Sequence, residues 1–379
     1  MATRKTAALP LASVYALTIA YASLYPFGEW RDQGNTFWAF LLAPWPKYWT
    51  GFDLGINILG YAPFGALLAL ALFRRAATAR PLILAIAVAS FFSLLLEALQ
   101  AYLPMRVASR EDWLLNSLGA GLGAGVALLL ERAGALQRWN HIRRRWFVPD
   151  ARGALVLLAL WPVALLFPSA VPLGLGQVWG RLLINLHELL RPQADVEQPL
   201  LHYLVELLPP APLGLTPLSP VTELGCVAIG VVLPSLLGYC VIPVWHRRVV
   251  FCLTVVVVAV GVSTLSAALS WGPSHAWAWL NGVAQMGLLV GALMAFVLTA
   301  VPWRTGCAIA LVAMGAYLSL LNQAPESPYF AQILQTWEQG SFIRFNGLAQ
   351  WCGWLWPYAA GVYFVLRLGQ REAKIYNAP

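Results

Sequence analysis

Nine side chains place ionisable, amide or hydroxyl groups in or beside long apolar runs. They are Asp53 and Asn57 in one run, Ser93, Glu97 and Gln100 in the next, Asp112 and Asn116 in a third, and Arg106 and Arg110 on the connector between the last two. Residues at i, i+4 and i+7 share one face of a helix. Asp53, Asn57 and Gly60 keep that spacing, as do Ser93, Glu97, Gln100 and Asp112, Asn116, Gly119. At membrane depth a charged group costs about 2.5–3.5 kcal/mol on insertion scales, so such a position needs a partner or a use. Two guanidinium groups beside carboxylates and amides suit recognition of a phosphate or carboxylate through paired hydrogen bonds. The same carboxylates suit acid–base work. The competing reading is an ion-pair and amide network that only joins three helices. For Asp53, at a helix start, capping is an equal competitor.

The elements that carry these residues are apolar throughout. Of 379 residues 60% are hydrophobic and 11% charged, too few charges to cover a soluble surface of this size. Disorder is excluded by the same numbers. Ten stretches are long enough to cross about 30 Å of hydrocarbon: 8–27, 53–73, 81–102, 112–130, 153–172, 222–244, 249–270, 276–301, 304–321 and 351–368. The expected fold is an all-α polytopic membrane bundle of about ten helices. Pro63, Pro162, Pro234 and Gly261 inside the runs are tolerated in membrane helices. The first run follows Arg4 and Lys5 like a signal sequence but lacks a small-residue cleavage site, so it reads as a retained span.

With the amino terminus inside, seventeen of the 24 basic residues fall on the inner side, against three of the 16 acidic ones. The Lys/Arg bias predicts both termini in the cytoplasm and residence in the cytoplasmic (inner) membrane. The second and fourth spans then start outside and the third ends outside, so the three polar faces can converge on one outward-opening pocket. The domain reading is a four-helix domain at 8–130, a basic cytoplasmic linker at 131–152, a further four-helix segment at 153–301 and two C-terminal helices at 302–379. The basic run His141–Arg145 reads as a topogenic loop on anionic lipid. An amphipathic helix near 178–190 reads as lying on the outer interface. Trp351, Trp354, Trp356 and Tyr358 read as an aromatic belt beside the last span.

No metal site, cofactor motif or nucleic-acid patch is read. The five cysteines, Cys226, Cys240, Cys252, Cys307 and Cys352, sit in or beside apolar runs without a CxxC pair and read as small buried residues. His187, His202, His246 and His275 are scattered.

In order and spacing, Leu24-Tyr25-Pro26-Phe27, then Asp53…Asn57…Pro63-Phe64-Gly65, then Ser93…Glu97…Gln100, then Arg106…Asp112…Asn116…Gly119…Gly123 resemble the VanZ-like family over roughly residues 10–130. That resemblance implies a four-helix integral membrane domain, some relatives of which confer low-level teicoplanin resistance; it implies no known reaction. The segment 153–301 reads as a decayed second copy. Glu223-Leu-Gly echoes Asp53-Leu-Gly, Leu166-Phe167-Pro168 echoes Leu24-Tyr25-Pro26, and Trp277…Asn281 echoes Trp113…Asn116. It lacks counterparts of Glu97, Gln100, Arg106 and Asp112, which leaves Glu223, Asn281 and Gln285 as a weaker second site or a packing remnant.

Three functions stand side by side. The favoured one is recognition of an anionic or lipid-linked envelope molecule from the outer leaflet, with a membrane lipid or lipid-linked precursor as partner. A transporter or flippase should carry polar residues on both sides of the midplane, whereas these cluster on one. An intramembrane enzyme acting on a lipid phosphate needs a nucleophile with a base or an acidic metal set, and neither is evident.

Overall fold

Apolar runs with few chain breakers become helices because a membrane leaves backbone polar groups no partner except one another. The computed structural model describes residues 8–24, 30–34, 36–44, 51–73, 79–104, 106–167, 169–180, 182–183, 186, 218–324 and 343–370, without the side chains of 51–53, 79, 136, 140 and 343–348. Eleven α-helices with both ends described, and no strand, occur among the described residues. They are α1 (Ala8–Leu24), α2 (Gly51–Leu72), α3 (Ala79–Gln100), α4 (Arg110–Arg132), α5 (Ala135–Trp146), α6 (Arg152–Leu165), α7 (Pro220–Tyr239), α8 (Trp245–Trp271), α9 (Gly282–Val297), α10 (Trp303–Leu321) and α11 (Ile343–Gly369). Seven of them, α2 to α4 and α7 to α10, are long and apolar enough to cross a membrane, and α1 and α6 are shorter apolar helices. Leu59, Leu84, Phe91, Leu122, Val257 and Val312 are exposed on these helices, as expected where the outer face meets hydrocarbon. The protein is an all-α, multi-pass helical membrane protein.

The chain divides into two compact units, Met1–Arg145 and Trp146–Pro379. In the first, α2 and α4 pack backbone to backbone. A methyl group on Gly119 would meet the backbone of Ile58, one on Gly123 that of Ala62, and one on Gly65 that of Ala120. Small residues permit this approach in a membrane, where close packing substitutes for the missing hydrophobic drive between helices. Around the seam, Ala12, Ile19, Tyr61, Phe64, Ala89, Leu96 and Ala120 form one core cluster and Ala69, Ala85, Ala124 and Ala127 another.

In the second unit α7 is the central helix, buried from Cys226 to Tyr239 except at Ile229. Gly287 and Gly291 of α9 close on it at Leu224–Val227 and Ala228–Val231. Arg248 is buried and donates to the carbonyls of Ile242, Thr299, Val301 and Tyr239, tying the start of α8 to the ends of α7 and α9. The Sγ atoms of Cys240 and Cys307 lie 3.0 Å apart in this core, and all five cysteines are free.

Several expected elements are changed by local chemistry. The basic run His141–Arg145 is not a loop but the end of α5, which starts after Gly134 turns the chain at φ +72°. The stretch 276–301 begins as turns after Gly272 and Pro273, and α9 starts only at Gly282 because the Asn281 side chain accepts from the Ala284 N–H at 2.8 Å. Helix α6 stops at Leu165, short of the expected 172, and the chain turns at Leu173 (φ +58°) and Gly176 (φ +93°). Trp356 forms no belt: it is buried within α11 and its indole N–H donates to the Leu157 carbonyl at 2.7 Å, whereas Trp351 is exposed. Of the expected interfacial helix 178–190, residues 179, 180, 182, 183 and 186 are helical and the others, apart from Val178, lie outside the described residues. The first seven residues, Tyr25-Pro26-Phe27, Pro168, His187 and His202 also lie outside them.

Candidate functional site

The polar cluster forms where the start of α4 meets the end of α3. The pattern Ser109-Arg110-Glu111-Asp112 reads as a capping signal, and the Ser109 side chain accepts from the Asp112 N–H at 3.2 Å, satisfying an orphan donor of the helix start. Ser109 also donates its hydroxyl to Glu111 Oε2 at 2.8 Å. Glu97, 4% exposed near the end of α3, accepts from the Ser109 backbone N–H at 2.9 Å. A buried carboxylate thereby fixes the connector that joins α3 to α4, through a charge-assisted hydrogen bond of the stronger kind.

The other members bind helix to helix. Asn57 of α2 donates to Asp112 Oδ1 of α4 at 2.7 Å, and Asn116 of α4 donates to the Ser93 hydroxyl of α3 at 3.0 Å. Gln100 donates to the Ser23 carbonyl at 2.9 Å and Arg106 to the Ala22 carbonyl at 3.2 Å, so both reach the end of α1. Arg110 pairs with the neighbouring Glu111 at 3.3 Å. The structure thus draws Asn57, Ser93, Glu97, Asp112 and Asn116 into one cluster, and directs Gln100 and Arg106 to α1 as well. Asp53 lies in the first turn of α2, and its side chain is outside the described residues.

Several participants are absent from the nine candidate residues singled out in the sequence. Tyr61 lies beside Ser93, within electrostatic reach of Glu97 and Asp112; it follows Asn57 by four positions, so the face spacing contains it. Glu111 is buried and Ser109 is the cap. Trp113 donates its indole N–H to Ser90, whose hydroxyl also accepts from Ser117 at 2.8 Å. No spacing rule marks Ser90, because its role depends on how α3 and α4 meet.

The site carries one open valence. Asn116 Oδ1 is buried without a hydrogen-bond partner among the described residues, a state that native structures usually relieve with a water or a ligand donor. At the rim, the Arg31 N–H donates to the Tyr102 carbonyl at 3.0 Å and Gln33 to the Ala101 carbonyl at 2.9 Å, so the segment at 30–34 lies on the connector. Arg31, Arg106 and Arg110 therefore sit on adjoining backbone at one end of the unit. The basic residues Arg132, Arg138, Arg143, Arg144 and Arg145 follow the other end of α4. No group of three or more His, Cys, Asp or Glu side chains that could hold a metal ion occurs among the described residues.

Residues 6–131 match the VanZ/LLP1 family model, which takes in α1 to α4 and every member of the cluster. No curated protein and no solved structure matches the chain. Over these residues, within the first unit, this multi-pass membrane protein is similar to the VanZ/LLP1 family.

Proposed function

We propose that the first unit recognises an anionic, lipid-linked headgroup from the outer leaflet of the cytoplasmic membrane. The observation that carries this reading is the bond from the Ser109 N–H to buried Glu97, which holds an arginine-bearing connector at the end of an apolar bundle. Glu97 is then a positioning residue. Arg106 and Arg110 supply guanidinium donors for a phosphate or carboxylate, and Asn116 Oδ1 offers an acceptor to a headgroup hydroxyl. The Lys/Arg bias supports an orientation with both termini in the cytoplasm and this cluster facing outward. A change in glycopeptide susceptibility, teicoplanin included, would follow from sequestering or presenting an envelope precursor.

Native mass spectrometry of the full chain released from detergent tests the reading. The wild type should retain an anionic lipid or lipid-linked sugar that Glu97→Gln and Arg106→Ala lose while remaining folded. Retention by both folded variants would make the cluster helix glue.

The tandem-copy reading of the second unit has one support. Gly287 and Gly291 of α9 face α7 as Gly119 and Gly123 of α4 face α2, with the same four-residue step. In that register Glu223 corresponds to Asn57, not to the Asp53 that it echoes in sequence, and Asn281 precedes its helix whereas Asn116 lies within one.

A further inference from the structure

The second unit contains a cleft of about 690 Å³ where the end of α6, the start of α7, the end of α8 and the start of α9 meet. Ligand sites typically span roughly 300–1,000 Å³. Leu165, Phe167, Pro172 and Leu173 contribute an apolar wall, and Trp271 and Trp279 contribute aromatic surface. Glu223, in the first turn of α7, is the one carboxylate of the lining, which contains no Lys or Arg. No described residue ion-pairs with Glu223. The helix start favours negative charge at that position. The Trp279 N–H is taken by Thr264 Oγ1 at 3.2 Å, and Asn281 Oδ1 by the Ala284 N–H at 2.8 Å. Ser169 and Ser266 donate to the carbonyls of Val171 and Leu166, and His275 Nδ1 meets Ser274 Oγ; one carboxylate and two indole faces, with Ser263 and the other side of the His275 ring, are left against the apolar wall.

A strained backbone shapes the wall. Leu173 is buried at φ +58°, a region bulky side chains rarely enter. It is held there by Tyr317, whose hydroxyl donates to the Leu173 carbonyl and accepts from the Leu175 N–H, both at 2.6 Å. Strain of this kind persists where surrounding contacts over-determine it, and it concentrates at binding sites.

We propose that this cleft binds an amphiphile carrying an ammonium group, with the cation between Glu223 and the indoles and the apolar chain along Phe167 and Leu173. Indole faces attract ammonium ions, and a carboxylate supplies the counter-charge. The cleft opens at the end of the unit that carries Trp271, Trp277 and Trp279, the residue type that marks headgroup level. An aminophospholipid and a soluble long-chain amine share this chemistry. The site is chemically opposite to the arginine-bearing cluster of the first unit, so the two can be tested apart.

The test is native mass spectrometry of the full chain in a non-ionic detergent, titrated separately with phosphatidylethanolamine, phosphatidylglycerol and dodecylamine. Glu223→Gln removes the charge at constant shape. Ala278→Trp, at an exposed lining position outside the core cluster, fills the cleft. Both variants should weaken the ethanolamine lipid or dodecylamine at least tenfold and leave phosphatidylglycerol unchanged. An effect on the lipid assigns a membrane source, and an effect on dodecylamine alone assigns a soluble one. Should Glu223→Gln fail to fold, Ala278→Trp decides by itself. Unchanged amine binding in the folded variants, or an equal loss of phosphatidylglycerol, overturns the proposal.

Discussion

Gly123→Ala and Gly125→Ala add the same methyl group two residues apart on α4, and the structure gives them opposite signs. At Gly125 nothing lies within 4 Å of the added carbon. The substitution there gains only the helix preference of alanine, about 0.5–1 kcal/mol. At Gly123 the carbon would overlap the backbone oxygen and Cα of Ala62, atoms that no rotamer change can move. Helices α2 and α4 must separate, and overpacking of this kind costs about 1–3 kcal/mol before the same propensity gain is subtracted. The propensity gain is common to both, so the two variants should differ by about 1–3 kcal/mol, with Gly123→Ala the less stable. For a unit of this size that corresponds to apparent melting temperatures about 5 °C apart. Heating the purified chain in detergent and measuring the surviving monodisperse fraction by size-exclusion chromatography reads the difference. Equal midpoints, or a more stable Gly123→Ala, would refute the backbone contact between α2 and α4.

Arg248→Lys should destabilise the second unit nearly as much as Arg248→Ala, by about 3 kcal/mol, because an ammonium cannot reach the four carbonyls that the guanidinium spans; full rescue by lysine in thermal unfolding would contradict this. A double-mutant cycle on Asn57→Ala and Asp112→Ala should show a coupling of about 0.5–1.5 kcal/mol, in the range of interhelical hydrogen bonds in membranes, and strict additivity would dissolve the pair. Tyr317→Phe should lose about 1–3 kcal/mol by releasing the Leu173 carbonyl and the Leu175 N–H, with stability unchanged as the refuting result. Cysteine probes within 28–52 and 173–221 should label from outside and those within 131–152 from inside; the reverse pattern would invert the orientation.

Face spacing made much of the first unit legible. Helical periodicity places Asn57, Ser93, Glu97, Asp112 and Asn116 on facing stripes, and the bonds from Asn57 to Asp112 and from Asn116 to Ser93 follow once the helices pack. Gly119 and Gly123 continue the stripe of Asp112 and Asn116, and that face of α4 is the one that meets α2. The bonds from Gln100 and Arg106 to the carbonyls of α1 were not legible, because a backbone acceptor carries no residue signature. Trp356 misled in the other direction. A run of tryptophans reads as an interface belt, whereas this one is spent on the Leu157 carbonyl inside the bundle. Glu223 and Asn281 were legible as residues but not as lining of a common cleft, since that depends on α6 ending early and on the turn through Leu173.

The most direct test of the central claim is hydrogen–deuterium exchange of the full chain in nanodiscs with and without phosphatidylglycerol, read at the connector 101–109. If the cluster recognises an anionic headgroup, the lipid should slow exchange across this connector in the wild type and have no effect in Arg106→Ala. Equal exchange with and without the anionic lipid in the wild type, or a protection that persists in Arg106→Ala, would contradict the account and leave the cluster as the bond between four helices.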